Sequence, residues 1–387
     1  MSESISEWDI SQYDVQVCIV SGEAAPNLLP IACYQPQEVI LLVSDQMQEQ
    51  AAQLSVSILE SLPATNIKRI WLEAPNDTNR TTQTILKVLK SLVDVKAVVN
   101  ATGGTKLMSI AAFRAAAAAD VPVFYVNQQD NAITIFPAGD ISRGAALPTV
   151  QTKIEMRHYL EAYGYQSEDY SAPAEALTEA ECELVCELVT GNAAMHKAVS
   201  TLNGLAVEAA KQELRTAGFG DTKRSLNSTN LREFDRLVRN FSDAGYLSEH
   251  DGELEFPDEA SRFFVAGGWL EHYVGTCLRQ KGLQPWLNLK VRKQAQNEID
   301  AAFFHNNKFY VVECKTSSMK DKTAVCQIAY KLESLRKIGG SNTQLILVSY
   351  QKLDDEQKKV ARQSGIKVIC GRQLTQLKAK LAEVLDD

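Results

Sequence analysis

Five short apolar runs in the first third of the chain, separated mostly by amphipathic stretches, constrain the fold most. The runs are 15–20 (Val-Gln-Val-Cys-Ile-Val), 38–43 (Glu-Val-Ile-Leu-Leu-Val), 68–72 (Lys-Arg-Ile-Trp-Leu), 96–100 (Lys-Ala-Val-Val-Asn) and 121–126 (Val-Pro-Val-Phe-Tyr-Val). Runs of this length, nearly continuous in apolar residues, suit parallel strands covered on both faces. Residues 47–62, 81–92 and 107–119 carry helical periodicity between them. Strand–helix alternation of this kind predicts an α/β fold with a Rossmann-like open sheet. A further strand is expected over 131–136.

The rest of the chain follows a different grammar. A polar stretch over 165–174 reads as a linker. Helical patterns then cover 178–189, 193–216 and 229–245, followed by a hairpin around His250-Asp251-Gly252, a winged-helix-like order. The last third opens with a helix from Trp269. Strands are expected at 286–293, 298–304, 309–315, 344–349 and 367–370, with helices at 323–338 and 354–364 and at the C-terminus, an α/β restriction-endonuclease-like order. Trp269 is expected to be a core anchor. Three domains follow from this reading: 1–150, 151–265 and 266–387.

Charge divides the chain at the same places. The whole carries −8. Residues 1–150 hold 9 basic and 15 acidic residues, and 151–265 hold 11 and 21. Residues 266–387 reverse the balance with 20 basic against 12 acidic. A basic module on an acidic chain points to a polyanionic partner for the last third. The acidic middle is poorly suited to phosphate contacts, which weighs against DNA binding through the winged-helix-like segment. The eight cysteines have no paired spacing, no apolar run is long enough to span a bilayer, and the acidic start lacks the features of a signal peptide. A cytoplasmic protein with reduced thiols and no membrane partner is expected. Cys182 and Cys186, four apart on a helix, are better explained as a helix face than as zinc ligands.

The densest chemical signal is Asn297-Glu298-Ile299-Asp300, followed by Glu313-Cys314-Lys315. On a strand, Glu313 and Lys315 share a face, as do Glu298 and Asp300. A turn at 305–308 pairs the two strands and brings Asp300 near Glu313. Two converging carboxylates, Asp300 and Glu313, suit Mg²⁺ or Mn²⁺, with Lys315 placed to steady developing negative charge. In the first third, the loop 100–106 (Asn-Ala-Thr-Gly-Gly-Thr-Lys) leaves a strand and enters a helix. Glycine permits close backbone approach and helix-start N–H groups favour anions, so Thr102, Gly103, Gly104, Thr105 and Lys106 are candidate ligand contacts. Ser21 and Gly22, with Ser44, end neighbouring strands where open α/β sheets bind ligands.

The acid, then acid-x-Lys, pattern at Asp300, Glu313 and Lys315 resembles the PD-(D/E)XK nucleases. That resemblance adds Glu271, within Gly267-Gly268-Trp269-Leu270-Glu271, with Glu298 and Gln327 as further accessory catalytic candidates. With the 100–106 loop and the helix end from Lys331-Leu332 to Gly339-Gly340, the chain resembles a CRISPR-associated Rossmann-fold (CARF) sensor fused to a nuclease. The resemblance implies a homodimeric, metal-dependent endonuclease acting on nucleic acid in antiviral defence. Its allosteric activator would be a cyclic oligoadenylate, by family resemblance cyclic tetra-adenylate. The alternative is a nucleotide-sensing transcriptional regulator binding DNA through the winged-helix-like segment.

Overall fold

The computed structural model describes residues 9–92, 94–137, 140–148, 154–167, 175–216, 218–317 and 322–386. Its first sheet has the strand order β3-β2-β1-β4-β5-β6-β7. The strands are β1 (Val15–Ile19), β2 (Glu38–Val43), β3 (Asn66–Trp71), β4 (Ala97–Asn100), β5 (Val123–Asn127), β6 (Ala132–Phe136) and β7 (Ala145–Pro148). β1 to β5 run parallel and β6 and β7 return antiparallel. Helices α3 (Thr78–Lys90) and α4 (Lys106–Ala119) cover one face through Ile85, Leu89, Met108 and Ala112. Helices α1 (Ala25–Tyr34) and α2 (Gln48–Ser61) cover the other through Leu28, Leu54 and Ile58. β3 departs from the expectation of a covered strand: as an edge it is exposed at Lys68 and Arg69, and Lys68 pairs with Glu38 at 2.8 Å. Charged residues on an edge strand oppose pairing with other chains.

Helix α1 was not legible in the sequence because it contains Pro26 and Pro30. Pro26 falls in the first turn, where the missing N–H has no intrahelical partner. Pro30 removes one interior hydrogen bond, and the helix persists with Leu28, Leu29 and Ile31 buried against the sheet. The short helix α5 (Met156–Ala162) was also not anticipated. Of the expected linker, residues 168–174 lie outside the described residues. Its start is anchored, since Gln166 forms a β-bridge with Arg292.

The middle segment contains α6 (Glu179–Thr190), α7 (Ala193–Ala209), α8 (Phe219–Ser225) and α9 (Ser228–Asp243). A three-stranded sheet joins β8 (Arg215–Thr216), β10 (Glu253–Glu255) and β9 (Ser248–His250) in that order. The helix expected to reach Thr216 ends at Ala209, and its last residues turn into β8. After α10 (Glu259–Phe263), a π-helical turn over 264–268 leads into α11 (Trp269–Arg279).

The last sheet runs β11 (Trp286–Arg292), β12 (Gln296–His305), β13 (Lys308–Lys315), β14 (Gln344–Ser349) and β15 (Ile366–Cys370). β11, β12 and β13 are antiparallel, whereas β13, β14 and β15 are parallel. Helices α12 (Lys322–Arg336), α13 (Asp355–Gln363) and α14 (Leu377–Asp386) complete it. One face of this sheet shares a hydrophobic core with α1 and α2 of the first third and with α5, through Phe309, Val311 and Leu345. The other face shares a core with α6, α7 and α9, through Phe303, Val312 and Ile346. Trp269 is fully buried there and meets Tyr350 edge-on at 5.3 Å. None of the eight cysteines forms a disulfide, and among the described residues no helix is long and apolar enough to cross a membrane.

A candidate nuclease centre and a candidate ligand edge

The two strands of the acidic motif pair as the turn requires. Ala301 lies opposite Val312, so Asp300 and Glu313 fall next in register. Glu313 is fully buried and Asp300 is 8% exposed. The Cys314 backbone N–H donates to Asp300 Oδ2 at 2.7 Å and fixes that carboxylate against β13. Lys315 Nζ stands 2.5 Å from Glu313 Oε1. Cys314 points away into the apolar core, where burial pushes its thiol well above the ordinary range.

Helix α11 brings Glu271 into the same group. Its carboxyl is buried and Oε2 has no hydrogen-bond partner within the described structure. Burial, and then the negative charge of Asp300, push it up to about 9. Burial and Glu313 likewise raise Asp300 above the ordinary carboxylate value. Burial alone would lower the Lys315 ammonium, but Glu313 and Asp300 outweigh it and its pKa is raised. The site therefore gathers carboxyls in a poorly solvated place, where each stays neutral or ionises with a cation beside it.

Two accessory candidates stand further out. Glu298 is exposed and pairs across the strands with Lys290. Gln327 is exposed on α12, one turn before Lys331. Lys331 itself enters the centre: its Nζ is 2.5 Å from Glu313 Oε2 and 3.6 Å from Asp300 Oδ1. Sequence reasoning did not single it out as a site residue. Its spacing from Gln327, four residues on a helix, is the one signal that places both on the same face.

At the C-terminal edge of the first sheet, the 100–106 loop leaves β4 and enters α4. A Cβ at Gly103 would lie 2.0 Å from the Ile19 carbonyl oxygen, so the loop packs directly on the end of β1. Asn100 is buried and donates to the Pro26 carbonyl (2.8 Å) and to Asn27 Oδ1 (2.9 Å), tying β4 to α1. The Thr102 hydroxyl, expected to face a ligand, is engaged within the fold. It donates to Asn100 Oδ1 at 2.6 Å and accepts from the Val126 N–H at 2.8 Å. Thr105 caps α4 by accepting from the Met108 N–H. Gly104, Thr105 and Lys106 are exposed, as is Gly22; Ser21 is half-buried and Ser44 is buried. The strand ends carrying Ser21, Ser44 and Thr102 thus share one edge, with a cavity of about 220 Å³ beside Ser21 and Gly22. That cavity is also lined by Lys293 and Lys337 from the last third.

A histidine–carboxylate cluster, Glu60, His158 and Glu161, occurs apart from this centre among the described residues. Arg157 already supplies its positive charge, 3.4 Å from Glu60 and 3.1 Å from the His158 ring.

A Rossmann-like sheet that shares a helical core with a second sheet gathering carboxylates and lysines defines a sensor-fused nuclease. The sequence agrees part by part. Residues 15–159 match the Card1 CARF domain and residues 258–386 match the Card1-like endonuclease domain, so the chain carries both domains in that order. Among solved structures, Can2 from Sulfobacillus thermosulfidooxidans in complex with cyclic tetra-adenylate superposes with a TM-score of 0.77 at 24% identity. That match covers 97% of this chain and 100% of Can2. Protein VC1899 from Vibrio cholerae gives 0.79 at 22% identity, covering 96% and 98% of the two chains. A type III CRISPR defence DNA nuclease activated by cyclic oligoadenylate gives 0.54 at 14% identity, over 90% of this chain and 52% of that one. These likenesses establish a shared fold. No curated relative matches the sequence.

Proposed function

We propose that this protein is a metal-dependent endonuclease of the PD-(D/E)XK type, switched on by a cyclic oligoadenylate in antiviral defence. The observation that carries the reading is the convergence of Asp300, Glu313, Lys315 and Glu271 inside a domain matched to an endonuclease. The donor set fits Mg²⁺ or Mn²⁺: hard carboxylate oxygens, one of them buried with no hydrogen-bond partner. Asp300 and Glu313 would hold the ion, with Glu271 completing the acidic wall. When bound, such an ion supplies Lewis-acid polarisation of a phosphoryl oxygen and a lowered pKa for an attacking water. Lys315 is held charged by its carboxylate neighbours and meets negative charge developing on the phosphate. Glu298 and Gln327, both exposed, are placed to touch substrate at the rim.

The activator would lie along the edge formed by Ser21, Gly22, Ser44 and the 102–106 loop. Gly103, Gly104 and the start of α4 present backbone N–H groups, and Lys106 adds charge. Cyclic tetra-adenylate, the ligand in the Can2 complex, is the proposed activator. A ring with internal symmetry suits a two-fold pair of sensors, so the working form is a homodimer. Three units carry these roles: residues 1–150 sense, 151–265 form a winged-helix-like spacer, and 266–387 cut.

The test is a cleavage assay with Mn²⁺, with and without cyclic tetra-adenylate, on single-stranded DNA, single-stranded RNA and plasmid. Activator-dependent cleavage that disappears in D300N and E313Q supports the reading. Cleavage at the same rate in E313Q removes the site assignment. Lys106→Ala should raise the half-saturating activator concentration roughly ten- to a hundredfold, the cost of one charge-assisted contact. An unchanged half-saturation point takes Lys106 out of the sensing edge.

A further inference from the structure

The nuclease centre and the sensing edge are joined by one helix. In the second half of α12, Lys331 contacts both Glu313 and Asp300. With Lys315 on the second oxygen, Glu313 has an ammonium at each of its carboxylate oxygens. Just past the C-terminal end of α12, the turn 339–342 is gripped by Glu23 of the sensor and by Tyr159 and Tyr163, in and just after α5. The Ser341 backbone N–H donates to both carboxylate oxygens of Glu23, at 3.2 and 3.0 Å. The Tyr163 hydroxyl donates to Glu23 Oε2 at 3.4 Å, and the Tyr159 hydroxyl donates to the Gly339 carbonyl at 2.7 Å. Gly340 has φ +85°, and a Cβ there would sit 2.3 Å from the Tyr163 hydroxyl and 2.5 Å from Glu23 Oε2, so the two surfaces meet without room for a side chain.

Glu23 is the next residue after Ser21 and Gly22 on the sensing edge. The Ser21 hydroxyl donates to the Glu23 carbonyl at 3.1 Å, so the two residues move as one turn. Between the ends of this path, Leu332, Leu335 and Ile338 are buried in the core shared by both sheets. A helix segment packed in this way shifts as a body, because close-packed interiors do not deform smoothly.

We propose that Lys331 is a displaceable counter-cation of the nuclease centre, seated on Glu313 and Asp300 until the activator binds, and that Glu23 is the positioning residue that keeps it seated. This rests on the metal-nuclease reading above and adds its regulation. An ammonium and a divalent cation compete for the same carboxylate oxygens, so the seated lysine lowers metal affinity. A ligand pressing on Ser21 and Gly22 disturbs Glu23, loosens its hold on Ser341 and lets α12 carry Lys331 off the carboxylates. The ammonium is then free to meet the substrate phosphate. Coupling of this kind is reciprocal: the activator tightens metal binding, and the metal tightens activator binding by the same factor.

The experiment measures Mn²⁺ affinity by counting free ion with electron paramagnetic resonance, on the full-length protein without nucleic acid, first without and then with cyclic tetra-adenylate. Wild type, K331M, K331Q, E23Q and the E23Q/K331M double variant are compared. Both Lys331 variants should bind Mn²⁺ about tenfold more tightly than wild type. E23Q alone should give a gain of about threefold, and no further gain when added to K331M, because both changes act on one contact. Cyclic tetra-adenylate should tighten Mn²⁺ binding in wild type and not in K331M. Equal Mn²⁺ affinity in wild type and both Lys331 variants overturns the counter-cation and leaves the metal site standing. Multiplicative effects of E23Q and K331M overturn the link to Glu23. Absence of Mn²⁺ binding in every protein overturns the metal-site reading, and this inference with it.

Discussion

Glu313 has no solvent exposure, yet its two ammonium partners keep side-chain exposures of 32% and 40%. That asymmetry predicts how its loss is felt. In E313Q the two lysines relax into water, so the stability lost in the metal-free protein should be about 1.5–3 kcal/mol, the scale of charged hydrogen bonds. Cleavage should fall at least about a hundredfold, because removing a metal ligand costs several kcal/mol of transition-state stabilisation. Chemical denaturation beside a cleavage assay separates the two, and a collapse of stability matching the collapse of activity would count against a catalytic role. Glu161 gives a second residue-scale prediction. Burial, and then the charge of Glu60, raise its carboxyl to about 7, above the ordinary value of 4.5. A folded-state pKa above the unfolded one means the folded protein binds more protons between pH 4.5 and 7. Its contribution to stability is therefore full below that window and lost as pH rises through it. Glu161→Gln, held neutral at every pH, should raise the melting temperature at pH 8 and change it little at pH 4.5. An equal shift at both pH values would assign the effect to packing.

At the scale of elements, the loop after β4 shows how backbone contact sets a position that composition alone does not. Gly103 faces the Ile19 carbonyl at a distance no Cβ tolerates. Gly103→Ala should force the loop off β1, lower the melting temperature by several degrees and weaken activator binding together with it. Activator titrated by calorimetry against the variant checks this, and unaltered binding would detach the loop from the sensing edge. The strands bearing Asp300, Glu313 and Lys315 were legible because strand periodicity assigns faces directly and a short turn fixes which residues meet. The strand–helix alternation of the sensor was legible for the same reason. Lys331 was hidden, since reaching Glu313 depends on how α12 lies across its sheet, and helix periodicity says nothing of that angle. Glu23 was hidden more deeply. Its partner is a backbone N–H 318 residues away, and a backbone donor leaves no mark in a sequence. Thr102 is a different case: its hydroxyl bonds Asn100 and the Val126 N–H, and a glycine-loop hydroxyl carries no mark of such partners in the sequence.

At the scale of the whole molecule, the last sheet is held on both faces. One face is covered by helices of the sensor and the other by helices of the middle segment. Glu23 of the first third bonds Ser341, and Tyr159 of α5 bonds Gly339, so both reach the turn that follows α12 in the last third. Tyr159 is 2% exposed, touches Phe304 and Phe309, and closes its hydroxyl on the Gly339 carbonyl. Shared cores join the stabilities of the parts they bind, so the protein should unfold in one calorimetric transition. A ligand bound at the sensor should then raise that single transition, by RT ln(1 + [L]/Kd), about 2.7 kcal/mol at a hundredfold excess over Kd. Tyr159→Ala removes a large aromatic ring from the junction, a loss of about 3–5 kcal/mol by analogy with other aromatic core truncations. It should split the transition, with cyclic tetra-adenylate shifting the sensor's part alone. Scanning calorimetry of wild type and Tyr159→Ala, each with and without cyclic tetra-adenylate, distinguishes the cases. Two transitions already present in wild type, with one insensitive to the ligand, would show that the sensor and nuclease melt independently despite their common core.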